Sequence, residues 1–308
     1  MITIWVPKRL VEVGLYNVAA RSPQELAALS EQSYRDRVKY AAEKVRLSGT
    51  KIVMLTGPSA SGKTTSAHKV AEALEASGTP AHVISLDNFF KGAQYYPRLP
   101  DGTLDYENPD TLDMPLIRQC LSELSTTGKT VLPIYDFATE SRSSETETLD
   151  LEGGVCIVEG IHALNPLMLG SCDPNSVFRI YVSALTTLNL DDHNRIRTTD
   201  LRLLRRLVRD YETRNASMEH TLGMWASVRR GEARWIFPYQ ENADRILNTT
   251  LHYEVAVLKR FVYPLLEAVP SDSVHYCAAR SIVKFLNYFA EAEVDDEIPP
   301  TSILREFI

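Results

Sequence analysis

The stretch at residues 51–74, "KIVMLTGPSASGKTTSAHKVAEAL", decides the fold of this chain. It begins with an apolar run typical of a buried strand and continues, from Lys63, with a segment that we predict to be a helix. Between them, "GPSASGKTT" (57–65) matches G-x-x-x-x-G-K-[S/T] at every required position, in the strand–loop–helix order that a phosphate-binding loop needs. We call residues 57–65 the phosphate loop, and we expect it to bind a nucleotide.

The chemistry of nucleotide binding accounts for the residue types in this loop. Gly57 and Gly62 permit a wrapped backbone whose N–H groups point at phosphate oxygens. We expect Lys63 to reach the β- and γ-phosphates of the nucleotide and the Thr64 hydroxyl to hold Mg²⁺. The predicted nucleotide-binding residues are Gly57, Ser59, Ala60, Ser61, Gly62, Lys63, Thr64 and Thr65.

Apolar strand-like segments alternate with helical patterns along the chain, which is typical of an α/β protein with a doubly wound, mainly parallel sheet. The predicted strands are "KIVMLT", "AHVISL", "VLPIY", "GVCIVE", "VFRIYV" and "ADRILN". The predicted helices cover residues 22–48, 63–77, 110–125, 195–211, 217–230, 252–266 and 279–290. The remaining segments are expected to be loops, including a Pro-, Gly- and Tyr-rich one at 92–109.

Composition and charge are typical of a globular protein and argue against some classes of binding partner. The chain has 308 residues, of which 44% are hydrophobic and 24% charged, with a formal net charge of −7. This acidic balance argues against general binding to nucleic acids or anionic membranes. The four cysteines lie far apart without CxxC spacing, so we expect free thiols in a reducing compartment. With no apolar run long enough to span a bilayer, the sequence predicts a soluble, cytoplasmic protein.

Two acids follow predicted strands. Asp87 comes after "AHVISL", and Glu159 comes after "GVCIV". The carboxyl ends of parallel strands face one crevice, so both acids should lie near the phosphate loop. One acid there can position Mg²⁺ and the other can orient an acceptor hydroxyl, although each could also be a helix cap or a surface charge. A GTPase is disfavoured because no guanine-reading N-K-x-D tract occurs, and a mechanical ATPase because no repeat or second domain is recognisable.

The segment "NRIRTTDLRLLRRLVRDYETR" contains seven arginines. Helical spacing places Arg202, Arg206 and Arg209 on one face. They could form a solvated face, a nucleic-acid surface interrupted by Asp200 and Asp210, or a lid that clamps phosphates. The phosphate loop elsewhere in the chain favours the lid.

Seven tracts, taken in order, resemble those of the uridine kinase-like nucleoside kinases, relatives of phosphoribulokinase among the P-loop kinases. The tracts are "GPSASGKTT", "SLDNFF", "DYENPDTLD", "PIYDFATESR", "VEGIHAL", "TTDLRLLRRLVRD" and "FPYQENADRILN". The resemblance runs from about residue 51 to 248. It implies a P-loop NTPase fold with an arginine-rich helical lid. We therefore predict a P-loop kinase domain at 51–270 with the lid at about 192–235. The helical patterns outside it predict an N-terminal accessory segment with a helix at 1–50, and a C-terminal helix and extended tail at 271–308.

The resemblance implies roles for matched residues. Asp87 would be the general base toward the ribose 5′-hydroxyl, and Glu159 would assist Thr64 in holding Mg²⁺. On the acceptor side, Glu107 would bind the ribose hydroxyls, and the matched aromatic residues, Tyr106 and Tyr135, would contact the base. The catalytic and lid cations implied by the resemblance are Lys63, Arg206, Arg209 and Arg214.

The implied activity is ATP- and Mg²⁺-dependent transfer of the γ-phosphoryl group to a hydroxyl, foremost the 5′-OH of a nucleoside. The expected partner is a small-molecule acceptor, with no nucleic acid or membrane, and homo-oligomerisation stays open. The alternatives are another small-molecule alcohol kinase of the phosphoribulokinase or pantothenate kinase type, a non-catalytic nucleotide-binding regulatory protein, and nucleic-acid binding through the arginine-rich helix.

The chain departs from the family pattern on its acceptor side, where Glu140 replaces the histidine of a Tyr-Asp-Phe-x-x-His tract. Ala216 and Met224 replace an expected arginine and glutamine. A carboxylate accepts hydrogen bonds but cannot donate to the 4-oxo group of uracil. We therefore hypothesise that Glu140 selects an acceptor presenting N–H groups, such as the cytosine amino group or the guanine N1/N2 edge. The alternative is that Glu140 turns outward toward Arg142 or solvent.

Overall fold

The computed structural model describes residues 11–100, 102–170, 173–191, 193–292, 294, 296 and 298–308. Its strands are β1 (Val11–Glu12), β2 (Ile52–Thr56), β3 (Ala81–Ser85), β4 (Lys129–Asp136), β5 (Ser141–Asp150), β6 (Val155–Glu159), β7 (Val177–Ser183), β8 (Leu188–Asn189) and β9 (Arg245–Asn248). Its helices are α1 (Val13–Ala19), α2 (Pro23–Ser48), α3 (Lys63–Ala76), α4 (Met114–Thr127), α5 (Thr198–Arg214), α6 (Met218–Trp235), α7 (Glu254–Glu267) and α8 (Tyr276–Leu286).

The chain divides into two compact units. The first unit is drawn from Met1–Tyr34, Ala184–Ala226 and Asn248–Ile308, and the second from Arg35–Ser183 and Ser227–Leu247. Helices α2 and α6 contribute residues to both units. The division into accessory segment, kinase domain and tail stays a prediction.

The second unit is built on a five-stranded sheet in the order β3-β6-β2-β7-β9. Pairs β3–β6, β6–β2 and β2–β7 are parallel, and every residue of β2 and β6 is buried. Strands buried on both faces read as continuous apolar runs, which is why sequence pattern alone located them. The predicted α/β fold with a mainly parallel sheet is confirmed. The phosphate loop follows β2, Asp87 follows β3 and Glu159 ends β6, so all three lie at the carboxyl edge of the sheet.

One predicted strand belongs to a different sheet. "VLPIY" does form a strand, within β4, but β4 pairs antiparallel with β5 in a separate two-stranded sheet. The prediction that it joins the parallel sheet is wrong. Val131 and Asp136 are exposed, whereas Leu132, Pro133 and Tyr135 are buried, so β4 is only partly buried. Its partner β5, "SRSSETETLD", was not predicted because it carries almost no apolar residue.

Helix α4 begins later than the predicted residue 110. The Asp113 carboxylate accepts a hydrogen bond from the Leu116 N–H at 3.2 Å, which caps the helix and starts it at Met114. Residues Pro109–Thr111 form a 3-10 turn instead. The other predicted helices are present with ends shifted by a few residues, whereas the short helix α1 was not predicted.

The first unit contains the parallel pair β1–β8 and helices α1, α5, α7 and α8, together with parts of α2 and α6. Helix α5 buries Leu201, Leu204 and Val208 on one face, as its spacing predicts. Fully buried Arg205 pairs with fully buried Glu254, with Nε and Oε2 2.6 Å apart. The Arg205 guanidinium also lies over the Phe307 ring.

Two predictions concern the whole chain. Cys120, Cys156 and Cys277 are free thiols, as predicted, and Cys172 lies outside the described residues. In the part of the chain that the structure describes, no helix has the length and apolar character needed to cross a bilayer.

Candidate active site

The phosphate loop has a wrapped backbone that two positions make possible. Gly62 caps helix α3 in the left-handed region, with φ +83°, and Ala60 has φ +55°. At Gly57, a Cβ would collide with the backbone oxygen of Val182 and lie 2.6 Å from Ser61 Oγ, so only glycine fits there. The loop therefore leads directly into the N-terminus of α3, where the first backbone N–H groups of a helix form an anion-binding position.

A buried carboxylate lies beside the first turn of α3. Glu159 is 4% exposed, and its Oε1 is 3.3 Å from Thr64 Oγ1 and 2.9 Å from Ser85 Oγ. Burial raises the pKa of Glu159, the charge of Lys63 acts in the opposite direction, and the charge of Asp87 adds to the rise. The structure thus brings together Thr64 and Glu159, the two predicted metal-holding residues.

The oxygen donors of this pair suit Mg²⁺. No group of three or more His, Cys, Asp or Glu side chains suited to a metal occurs within the described residues. Mg²⁺ commonly takes one or two protein oxygens and fills its remaining positions with water and substrate phosphates. Thr64 and Glu159, next to a phosphate loop, fit that pattern.

Asp87 lies in the 3-10 turn after β3, and its side chain is exposed. Its N–H donates to Ser85 Oγ at 3.3 Å, and the same Ser85 hydroxyl donates to Glu159. Ser85 is therefore hydrogen-bonded both to the side chain of Glu159 and to the backbone of Asp87. One carboxylate is buried next to Thr64 and the other faces solvent, an arrangement that lets two acids serve different roles.

The predicted base-contacting tyrosines belong to a cluster of aromatic side chains. Tyr135 is buried, with its hydroxyl 3.5 Å from that of Tyr96 and its ring centroid 5.6 Å from that of Phe90. The ring of Tyr106 packs edge-on against Tyr96 at 5.6 Å. We call this set the aromatic cluster: Phe90, Tyr96, Tyr106, Tyr135 and Phe137. Of these five residues, sequence reasoning singled out Tyr106 and Tyr135 and missed Phe90, Tyr96 and Phe137.

Glu140 lies at the β4–β5 turn, is exposed, and adopts the left-handed region with φ +49°. Burial raises the pKa of the Tyr96 hydroxyl, and the charge of Glu140 contributes to the rise. Glu140 is therefore within electrostatic reach of the aromatic cluster. Arg142, the partner considered from sequence, donates instead to Asp113 Oδ2 at 3.0 Å.

Glu107 packs against helix α6, at a contact that sequence reasoning did not anticipate. A Cβ at Gly231 would collide with the Cβ of Glu107 and lie 2.6 Å from its Cγ. The next residue, Glu232, is 0% exposed and accepts hydrogen bonds from the Ser59 N–H at 3.1 Å and from Arg229 at 2.8 Å. A glycine beside an acid inside a helical pattern was the only sequence signal.

His162, which follows β6, is another buried polar residue that sequence reasoning missed. It is 2% exposed, and neither ring nitrogen has a hydrogen-bond partner of ordinary geometry among the described residues. Burial lowers the pKa of His162 to about 4, while the nearby backbone of Glu107 acts in the opposite direction. The imidazole is therefore neutral at physiological pH.

The predicted lid arginines lie in the first unit, on α5. Arg206 Nε is 3.1 Å from Asp210 Oδ2, Arg209 Nη2 is 2.8 Å from Oδ1, and Arg214 Nη1 is 3.6 Å from Oδ1. Asp210 is buried, so these arginines share one carboxylate rather than forming a freely solvated face. Arg202, placed on the same face from sequence, is buried with its guanidinium 5.5 Å from the Trp225 ring.

Several known proteins resemble this chain in sequence or in fold. Residues 52–256 match the model of the Phosphoribulokinase / Uridine kinase family. The chain is 32% identical over 203 residues to a uridine kinase of Macrococcus caseolyticus, covering 65% of this chain and 89% of that protein. It is 32% identical over 220 residues to a uridine kinase of Borrelia turicatae, covering 70% and 95% respectively. A solved structure of a fructose transport system kinase candidate from Silicibacter sp. TM1040 shares the fold, with TM-score 0.51, 21% identity, and coverage of 68% of this chain and 98% of that one.

Proposed function

Because the chain belongs to the phosphoribulokinase/uridine kinase family, we propose that it transfers the γ-phosphoryl group of ATP, with Mg²⁺, to the 5′-hydroxyl of a nucleoside. As a member of this family, the protein is a small-molecule kinase that phosphorylates an alcohol. The observation that carries the proposal is the joining of Thr64, Ser85 and Glu159 by hydrogen bonds beside the phosphate loop. The backbone N–H of Asp87 donates a hydrogen bond to the hydroxyl of the same serine, Ser85.

The proposed reaction uses residues at this edge of the sheet. Asp87 takes the proton of the acceptor hydroxyl, whose oxygen bonds to the γ-phosphorus as the bond from that phosphorus to the ADP oxygen breaks. Lys63 and the N–H groups of the phosphate loop hold the phosphates in line. Thr64 and Glu159 would hold Mg²⁺, which supplies positive charge to the phosphate oxygens.

The remaining roles concern the acceptor and the phosphates. We propose that the exposed ring of Tyr106 and the side chain of Tyr135 contact the base of the nucleoside, and that Glu107 binds the ribose hydroxyls. Glu140 would favour a base edge that carries N–H groups. The proposed lid arginines are Arg206, Arg209 and Arg214, which rest on the sequence resemblance. A cytoplasmic location also stays a proposal.

A panel of acceptors tests the proposal. The purified protein with ATP and Mg²⁺ should release ADP with cytidine or guanosine faster than with uridine, because opposing Glu140 to a carbonyl costs about 1–3 kcal/mol if the contact is buried. Activity only with a sugar phosphate or a pantothenate-like acid would favour the alternative alcohol kinase. If uridine is the best acceptor and Glu140→Ala changes nothing, Glu140 does not select the base.

Substitution of the proposed base separates a kinase from a nucleotide-binding regulator. Asp87→Asn should lower kcat by about 10²–10⁴-fold, the usual contribution of general base catalysis. ATP affinity, measured by calorimetry, should stay within about threefold of the parent value because Asp87 lies on the acceptor side of the proposed reaction. An unchanged kcat would remove Asp87 from the mechanism, and absence of turnover with every acceptor would favour the regulator.

A further inference from the structure

Helix α6 places a fully buried carboxylate on the phosphate loop. Glu232 Oε1 accepts the Ser59 N–H at 3.1 Å, and Oε2 accepts from Arg229 Nη1 at 2.8 Å. A buried carboxylate is costly unless hydrogen bonds and a counter-charge compensate it. Glu232 has both, with its two oxygens assigned to different partners.

The phosphate loop needs support at this point. Ser59 immediately precedes Ala60, a residue with a side chain held at φ +55°. Non-glycine residues in this region cost about 1 kcal/mol or more and persist where their surroundings hold them. The Ser59–Glu232 hydrogen bond fixes the peptide between Pro58 and Ser59, one peptide before the strained residue, on a loop whose backbone must keep one arrangement.

The residue before Glu232 has a different neighbour. Gly231 is buried against the Cβ and Cγ of Glu107, so any side chain at position 231 would displace Glu107. Glu107 is the acid that we propose for the ribose hydroxyls. One turn of α6 therefore contacts the phosphate loop through one residue and the proposed acceptor side through its neighbour.

We propose that Glu232 and Gly231 are positioning residues for different substrates, Glu232 acting through the phosphate loop on ATP and Gly231 acting through Glu107 on the acceptor. The second half rests on the proposed function, because it assumes that Glu107 binds the acceptor. The first half requires only that the phosphate loop binds a nucleotide. Neither residue needs to touch a substrate.

Glu232 is tested by nucleotide binding without turnover. Calorimetric titration with ATP and Mg²⁺ should give at least a tenfold weaker Kd for Glu232→Ala. Glu232→Gln should weaken ATP binding by at least threefold but less than the alanine variant does, because its neutral amide oxygen still accepts the Ser59 N–H, though more weakly than a carboxylate. Glu241→Gln removes the same charge from an exposed position of the second unit and should leave the Kd unchanged.

Far-UV circular dichroism and thermal melting establish which variants are folded. If Glu232→Ala does not fold, the Glu232→Gln protein is used to test the proposal. A Kd of ATP for Glu232→Gln that is threefold or more above the Kd for Glu241→Gln supports it. A folded Glu232→Ala protein that binds ATP like the parent would overturn the role of Glu232. So would a Glu232→Gln protein matching Glu241→Gln when the alanine variant is unfolded.

Gly231→Ala tests the acceptor half by a split between kinetic constants. The added methyl group should raise the KM of the best acceptor about tenfold or more, while the Kd of ATP stays within twofold. An equal effect on both substrates, or none on the acceptor, would overturn separate positioning. If no acceptor supports turnover, the proposed kinase function fails and the Gly231 half fails with it. The ATP titrations of the Glu232 variants still test whether Glu232 positions the phosphate loop for ATP.

Discussion

Acidification should destabilise the protein through His162, and the size of the effect can be worked out. Its pKa is lowered from 6.5 to about 4 by burial. As the pH falls below 6.5, the unfolded chain binds a proton at this histidine that the folded chain does not bind, so stability is lost. The full loss, reached below the folded pKa, is roughly 3 kcal/mol, and about 2 kcal/mol of it should occur between pH 7 and pH 5.

Replacing His162 isolates this contribution from all other titrating groups. Urea unfolding of the parent and of His162→Phe at pH 7 and pH 5 gives four free energies of unfolding. The parent should lose about 2 kcal/mol more than the variant between the two pH values. His68→Gln, which removes an exposed histidine of the same unit, is the matched control and should follow the parent.

A direct titration adds a second measurement. The carbon-bound imidazole protons of His162, followed by NMR in the folded protein, should titrate near pH 4 or not at all before unfolding. A folded-state pKa near 6.5 would refute the reasoning. An equal pH dependence in the parent and His162→Phe would do the same, because the histidine would then be titrating alike in both states.

Other substitutions test separate parts of the structure. Arg205→Met should cost about 3–5 kcal/mol of unfolding free energy because it leaves the buried carboxylate of Glu254 without its partner, and the double variant with Glu254→Leu should lose much less. Equal losses in the two proteins would contradict a buried ion pair. Glu140→Gly should stabilise the protein by up to about 1 kcal/mol, measured by urea unfolding, because φ +49° suits glycine; a loss of stability would show that the side chain makes compensating contacts. Thr64→Val should raise the Mg²⁺ concentration for half-maximal activity by about tenfold, measured by ADP release at saturating ATP; an unchanged Mg²⁺ requirement would remove Thr64 from the metal site.

Local patterns in the sequence are sufficient to predict the fold class and the nucleotide side of the candidate site. The phosphate loop is recognisable because its glycines, lysine and threonine must occur at fixed spacing between a strand and a helix. Strands β2, β3 and β6 are recognisable because both faces of a parallel sheet are covered, which requires a local run of apolar residues. Asp87 and Glu159 could then be placed from strand ends alone.

Features that depend on neighbours distant in sequence could not be predicted from local patterns. The polar strand β5 forms because β4 offers it backbone partners, and no apolar pattern marks it. Arg205 is buried because Glu254, 49 residues away, compensates its charge, and no pattern within α5 marks that pairing. Glu232 is 173 residues from Ser59 and becomes a support of the phosphate loop only once α6 has packed in place. A local pattern records the propensity and periodicity of a segment, whereas the partner of a buried charge is set by how segments pack.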